Sequence, residues 1–413
     1  MAADGASIAR NQAHTFLALW ATLVPYLQTD RMLPARLDRQ LRLHRQFGSR
    51  DRRLYRELAY TAFRYLPWVE DGLKEKSDDA VRALVWLSHD LAATRLVKSV
   101  WCEGWPLPAP AIAEKQRRLQ TQASSLPVSR PLLPEWFRGE CPEAFHPPLG
   151  DILQTRSPLW IRVQTDDVDG LAAEFRAQGW TWRQSVVQAD AWRIDGEKDV
   201  TDSEAFRKGA FEVQDLGSQL VLESIDVPVG SRWLDACAGA GGKTLQLARR
   251  VGSEGHVTAD DLRPAPLEEL RRRAERGGLR NVSVGDDGRE LFDGVLIDAP
   301  CSGTGTWRRS PHLKTSTNHE GVVRSAVAQT DLLETYAPRL HLGGRLVYAT
   351  CSLCRTENED VVNGFLESHS DYRAERPIHE FGYRRARDET GLTIDPAVHD
   401  SDGFYVACLQ RVS

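Results

Sequence analysis

The chain lacks any apolar run long enough to span a bilayer, and its opening, Met1 to Ser7, has no basic-then-apolar signal region. A cytoplasmic protein is therefore expected, with no membrane partner. Cysteine is sparse. Seven thiols in 413 residues do not form a disulfide framework, so they are expected to be free. Net positive charge is missing as well: at −5 overall, binding a polyanion requires a local basic face rather than bulk attraction. Internal repeats and low-complexity tracts are not evident. What remains, 41% hydrophobic and 27% charged residues, is the composition of a globular chain. Its length exceeds one ordinary core, which predicts two or three domains. Nothing in the sequence speaks to assembly, so a monomer is the default.

The stretch around which the chain is organised is Trp233-Leu-Asp-Ala-Cys-Ala-Gly-Ala-Gly-Gly-Lys-Thr244. A short apolar run reaches Asp235, a loop of small residues follows, and Thr244 onward has helical spacing. Strand, glycine-rich turn and helix let a backbone approach a ligand and offer it unpaired N–H groups. A phosphate-cradling loop needs a glycine where Cys237 stands, and a dinucleotide fingerprint needs one where Thr244 stands. A looser nucleotide-binding turn survives, with Asp260 and Asp261 at the next strand tip in position to hold a ribose.

Residues 1–125 read as helical, with faces marked by Phe16, Trp20 and Leu23, by Leu54, Leu58 and Ala62, and by Leu84, Leu87 and Leu91. Between Arg31 and Arg56 stand nine arginines against two acids, Asp38 and Asp51; a solvated helix face and a nucleic-acid contact both fit. Proline punctuates residues 126–157, which reads as a linker. Residues 158–215 alternate strand, helix and strand as a small α+β unit. From residue 216 to 413, strands at Ser231–Asp235, Gly255–Asp260, Val282–Val284, Gly294–Asp298, Arg345–Ala349 and Phe404–Leu409 alternate with helices such as Ala265–Gly277 and Val322–Leu340. That order predicts a doubly wound, mostly parallel sheet with its ligand at the carboxyl ends of the strands.

Two strands run straight into cysteines: Gly294–Asp298 into Ala-Pro-Cys301, and Arg345–Ala349 into Thr-Cys351-Ser-Leu-Cys354. A lone cysteine is usually a small core residue. Two at neighbouring strand tips beside a nucleotide-type loop point to chemistry. Zinc would require a second C-x-x-C pair, so no metal is expected.

Together, W-L-D-A-C-A-G-A-G-G-K-T, I-D-A-P-C-S-G-T-G-T-W-R-R-S-P and G-G-R-L-V-Y-A-T-C-S-L-C-R-T-E-N-E-D resemble the motifs of the RsmB/Nop/Sun family of RNA cytosine-5 methyltransferases. The likeness is strong over roughly residues 155–410. It implies a Rossmann-like, class I S-adenosylmethionine-dependent catalytic domain, preceded by a ferredoxin-like subdomain and, more weakly, a NusB-like helical domain; both smaller parts are RNA-binding in the family. It further implies methyl transfer to C5 of a cytosine in RNA. Cysteine chemistry explains the paired thiols: a thiolate added at C6 makes C5 nucleophilic, and a second group helps remove the C5 proton so that the adduct can collapse.

Mapped by resemblance, Cys351 attacks and Cys301 assists release. Lys243 and Asp298 would hold the cytosine. Ala236, Cys237, Ala238, Gly239, Ala240, Gly241 and Gly242 would cradle the cofactor, with Lys243 and Asp298 beside it. Asp261 would bind the ribose, with Asp260 as competitor, and Asp287 would meet the adenine. Trp307, Arg308, Arg309 and Lys314 would line the RNA path. Gly239-Ala240 stands where Ala-Pro is commoner in the family, and Cys354 is an extra thiol. The bacterial-type layout favours small-subunit ribosomal RNA over transfer RNA. A DNA cytosine methyltransferase is disfavoured because Ser302, not Gln, follows Pro300-Cys301. An assembly factor that merely keeps the cofactor pocket is the remaining alternative.

Overall fold

Leucines spaced four apart, Leu33, Leu37 and Leu41, form the buried stripe of the helix Leu33–Leu43, whose start is set by Pro34 in its first turn. The computed structural model describes residues 2–196, 198–385 and 390–413. It divides into two units: Met1–Arg156 with Trp307–His319, and Ser157–Thr306 with Glu320–Ser413. No helix among the described residues is long and apolar enough to cross a membrane.

The first unit is helical. Ala2–Leu23, Leu33–Leu43, Ser49–Arg64, Leu66–Lys74 and Asp78–Leu87 lead its element order, around a core that includes Trp20, Leu58, Phe63, Trp68 and Leu84. The proline-rich stretch read as a linker is packed chain. Leu126, Leu132, Phe137, Cys141 and Leu153 within it are buried, and Phe137–Glu140 and Leu149–Leu153 are short helices. Prolines break the helices there, but the apolar residues between them are still drawn into the core.

The second unit opens with β1 (Leu159–Val163), β2 (Trp182–Gln184), β3 (Ala191–Ile194) and β4 (Phe211–Val213), an antiparallel sheet in the order β2-β3-β1-β4. Helices Val168–Ala177 and Glu204–Arg207 complete a β-α-β-β-α-β, ferredoxin-like arrangement. Asp167 caps the first helix by accepting the Gly170 N–H at 2.9 Å. Buried Glu212 on β4 accepts hydrogen bonds from Arg273 and Arg276, tying this sheet to the helix Pro264–Arg276.

The large sheet contains β5 (Arg232–Asp235), β6 (His256–Ala259), β7 (Val282–Val284), β8 (Phe292–Asp298), β9 (Leu340–Thr350), β10 (Tyr372–Glu375), β11 (Gly382–Tyr383), β12 (Gly391–Ile394) and β13 (Phe404–Arg411). Its order is β11-β12-β13-β9-β8-β5-β6-β7, with β10 on β13. Strands β5 to β9 pair in parallel, whereas β13 lies antiparallel to β9. The chain winds from β5 out to β7 and returns to β8 on the other flank of β5. That reversal opens a crevice at the carboxyl ends of β5 and β8. Gly294 in β8 is required by packing, since a Cβ there would fall 2.4 Å from the Trp233 ring. The helix expected at Val322–Leu340 is His319–Tyr336, stopped by Pro338 in the turn Ala337–Arg339; Leu340 instead opens β9.

Candidate active site

Asp235 ends β5 fully buried, with the Thr244 hydroxyl donating to its Oδ2 at 2.7 Å. This bond ties the strand to the helix Gly242–Val251 across the small-residue loop. Gly241 caps that helix at φ +89°, where a Cβ would lie 2.7 Å from Leu270, so neither the conformation nor the space admits a side chain. Gly242 faces open space, and a Cβ at Gly239 (φ +51°) would meet only the tip of Arg263, at 4.0 Å. One side of the loop thus packs on protein while the other can be approached closely.

Two acids follow β6. Asp261 is nearly buried and accepts the Gly239 N–H at 2.9 Å and three hydrogen bonds from Arg263, a side chain that is itself 68% exposed. Burial raises its carboxyl, but the Arg263 and backbone donors outweigh that and leave it below the usual range. Burial holds Asp260 above its usual value. After β7, Asp287 is exposed and its Oδ1 accepts the Arg289 N–H. Its neighbour Asp286 is turned inward and held by two hydrogen bonds from Arg339, at 2.5 and 2.9 Å.

Lys243, in the first turn of the helix, is 6% exposed and donates to Asp298 Oδ2 at 2.8 Å. Its ammonium also lies 4.9 Å from the centre of the Phe404 ring. Asp298 is the last residue of β8 and pairs in register with Ala349 of β9. Because the two parallel strands end level, the loops leaving them run side by side. Cys301 Sγ and Cys351 Sγ meet at 3.4 Å. Hydrogen bonding to Cys351, burial, and the charges of Cys351 and Glu357 hold the Cys301 thiol well above its ordinary range.

Sequence reasoning did not single out Glu357, whose carboxylate lies behind this pair and accepts the Ser302 N–H and the Ser302 and Ser352 hydroxyls. Its signal was an acid shortly after the second cysteine motif, in a stretch otherwise headed for the core.

The expected RNA-lining residues need correction. Trp307 is wholly buried, its ring 4.7 Å from that of Phe137. Arg308 is 1% exposed and donates to the Thr155 hydroxyl and the Arg156 carbonyl. Lys314, 5% exposed, donates to the Arg64 carbonyl at 2.6 Å and to Gln154 Oε1 at 3.0 Å. These side chains are structural parts of the helical unit and can neither stack on a base nor reach a phosphate; Arg309 alone is exposed.

The residues around the loop suit S-adenosylmethionine. Open space over Gly242 admits a ligand against the backbone, with only the Arg263 side chain beside Gly239, acids stand at the tips of β6 and β7 for hydroxyl and amino groups, and the first turn of Gly242–Val251 leaves N–H groups without helical partners.

A family model described as 16S rRNA methyltransferase RsmB/F matches residues 224–410. The chain is 28% identical over 334 residues to the probable ribosomal RNA small subunit methyltransferase B of Bacillus subtilis (strain 168), covering 76% of this chain and 72% of that one. It is 27% identical over 418 residues to ribosomal RNA small subunit methyltransferase B of Serratia proteamaculans (strain 568), covering 90% and 93%. The structure of NSun6 from Pyrococcus horikoshii with SFG matches with a TM-score of 0.60 at 19% identity, over 68% of this chain and 98% of that one, a likeness of fold. With its motifs, its sheet and its relatives in agreement, residues 224–410 are identified as a methyltransferase domain of the RsmB/F family.

Proposed function

We propose that the protein methylates C5 of a cytosine in small-subunit ribosomal RNA, with Cys351 as nucleophile and Cys301 as the group that releases the product. The observation that carries this reading is the pair of sulfurs 3.4 Å apart at adjacent strand ends, next along β8 from the Lys243–Asp298 pair. Bonds to C6 and to the C5 proton are made on neighbouring ring atoms, so the two groups must share one base.

S-adenosylmethionine, held by the 236–242 loop with Asp261 and Asp287, supplies an electrophilic methyl group. Cys351 as thiolate adds to C6, which makes C5 nucleophilic. Lys243 and Asp298 hold the base and balance the charge that develops on it. Once Cys351 has become a thioether its charge is gone, and with it one cause of the high Cys301 pKa. Cys301 then gives up its proton to water more readily, and as a thiolate it takes the C5 proton, whose bonding pair forms the C5–C6 double bond and expels Cys351 as thiolate.

An RNA substrate is supported by the helical unit. Arg39, Arg42, Arg45, Arg50 and Arg53 are exposed, while the nearby acids are engaged: Asp38 accepts from Arg56 and Asp51 from Gln12. Arg50 and Arg53 stand near the start of the helix Ser49–Arg64, where the dipole disfavours cations and favours a phosphate. This is the local basic face that a chain of net charge −5 requires.

The test is to incubate single-thiol variants with unmethylated, in vitro transcribed small-subunit rRNA and cofactor, then separate the products on a denaturing gel. Cys301→Ala accumulates a covalent protein–RNA species, and Cys351→Ala forms none. Equal behaviour of the two variants refutes the assignment, and absence of methyl transfer by the wild type to this RNA refutes the substrate.

A further inference from the structure

Both cysteine loops converge on one buried acid. Glu357 has no exposed surface. Its Oε1 accepts the Ser302 N–H at 2.7 Å, and its Oε2 accepts the hydroxyls of Ser302 and Ser352, each at 2.5 Å. Ser302 follows Cys301 and Ser352 follows Cys351 directly in the chain, so a single carboxylate grips the residue next to each thiol. Gln329 closes the ring: its amide donates to Glu357 Oε1 at 3.4 Å and to the Pro300 carbonyl, before Cys301, at 2.9 Å.

The acid is itself fixed to β9. Tyr348 donates its hydroxyl to the Glu357 carbonyl oxygen at 2.5 Å. Asn358 brackets Cys351 from both sides, accepting the Thr350 hydroxyl at 2.6 Å and donating to the Ser352 carbonyl at 2.9 Å. Ser352, with its proton committed to Glu357, accepts the Cys354 N–H at 3.0 Å.

We infer that Glu357 is a positioning residue that sets the Cys301–Cys351 separation by clamping Ser302 and Ser352 together. A carboxylate is required by the donor count. Two hydroxyls and a backbone N–H all point at it, and only a group that accepts at both oxygens satisfies them together. A glutamine of the same shape would turn an NH2 toward one of these donors and open one arm. Among the described residues no hydrogen bond joins Glu357 to either sulfur; its charge is felt at Cys301, and its hold on the two loops runs through the serines.

This inference rests on the two thiol roles proposed above, and the experiment separates the failures. Four proteins, the wild type, Glu357→Gln, Ser302→Ala and Ser352→Ala, are compared on the same in vitro transcribed small-subunit rRNA. Formation and decay of the covalent adduct are timed, and kcat and KM are measured. Glu357→Gln lowers kcat about 10-fold or more while KM for RNA and for cofactor stays within about 3-fold. Ser352→Ala slows adduct formation, and Ser302→Ala slows adduct decay.

A bifunctional alkylator that bridges close thiols, dibromobimane, reads the separation directly: each thiolate displaces one bromide. Bridging of Cys301 to Cys351 slows in Glu357→Gln. If that variant does not fold, the two serine variants decide. The clamp is overturned if both serine variants alter the same step equally, or if folded Glu357→Gln keeps wild-type kcat and bridging. If Cys301→Ala and Cys351→Ala fail to differ, the thiol assignment falls instead.

Discussion

Cys301 and Cys351, 50 residues apart in the chain, bring their sulfurs to 3.4 Å. A disulfide bond is about 2.0 Å long, so only a short approach separates the two sulfurs from one. The expected outcome of treatment with a diazene oxidant, which takes up both thiol hydrogens, is a Cys301–Cys351 disulfide and loss of methyl transfer. Activity returns with a thiol reductant. Peptide mass mapping checks the linkage, and Cys354→Ser leaves it unchanged.

The Lys243–Asp298 pair is asymmetric: the lysine is 6% exposed and the acid 33%. Removing the acid strands a buried ammonium, so Asp298→Ala is expected to destabilise the catalytic unit by about 2 kcal/mol, below the usual cost of about 3–5 kcal/mol for a broken buried pair because one partner is wetted. Methyl transfer falls by about 100-fold or more in the same variant, since the cytosine loses its partner. Chemical denaturation and single-turnover rates measure the two effects separately.

Asp235 gives a pH signature. Burial lifts its carboxyl from 3.8 to about 7, with the Thr244 hydrogen bond opposing and the Asp298 charge adding to the rise. The folded protein keeps a proton that the unfolded chain releases at lower pH, so this group's contribution to stability declines as pH rises across that window and is level above it. Asp235→Asn removes the dependence. Its denaturation midpoint relative to the wild type is expected to rise between about pH 5 and about pH 8, and a constant difference contradicts the buried, protonated acid.

Arg263 occupies the carboxylate proposed to hold the cofactor ribose. Cofactor binding then requires this exposed side chain to leave. Isothermal titration with S-adenosylmethionine should show Arg263→Ala binding as tightly as wild type or tighter, and Asp261→Ala weaker by about 10-fold or more. A loss confined to Asp260→Ala would transfer the role to its neighbour.

Lys314 and the exposed arginines of the helical unit should behave oppositely. Lys314→Ala lowers the melting temperature and leaves the salt dependence of RNA binding unchanged, because its ammonium is spent on Arg64 and Gln154. Arg42→Ala and Arg45→Ala leave stability near wild type and flatten the slope of log K against log salt by about 1 each. Filter binding over a range of salt concentrations distinguishes the two classes.

Much of the catalytic half was legible from residue order alone. Apolar runs ending in Asp235, Asp298 and Thr350 announced strands, and glycines after Asp235 announced a turn that a ligand can approach. These are signals carried by neighbours in the chain, and backbone sterics translate them directly. For the catalytic-half strands and helices named from the sequence, boundaries fell within a few residues, except that β9 opens at Leu340 rather than Arg345; β10, β11 and β12 were not foreseen.

The destinations of polar side chains were settled otherwise. Trp307, Arg308 and Lys314 look like an RNA-facing cluster in one dimension, yet Lys314 finds its partners 160 and 250 residues away and is buried with them. Glu357 is one acid among 58 acidic residues until β8 and β9 lie side by side and carry two serines to it. By itself the sequence determined the strand–loop–helix order and which residue types stand at the strand tips. Tertiary structure alone decided which charges are buried, which are spent on structure and how far apart the sulfurs lie, because desolvation and hydrogen-bond geometry depend on neighbours in space rather than in the chain.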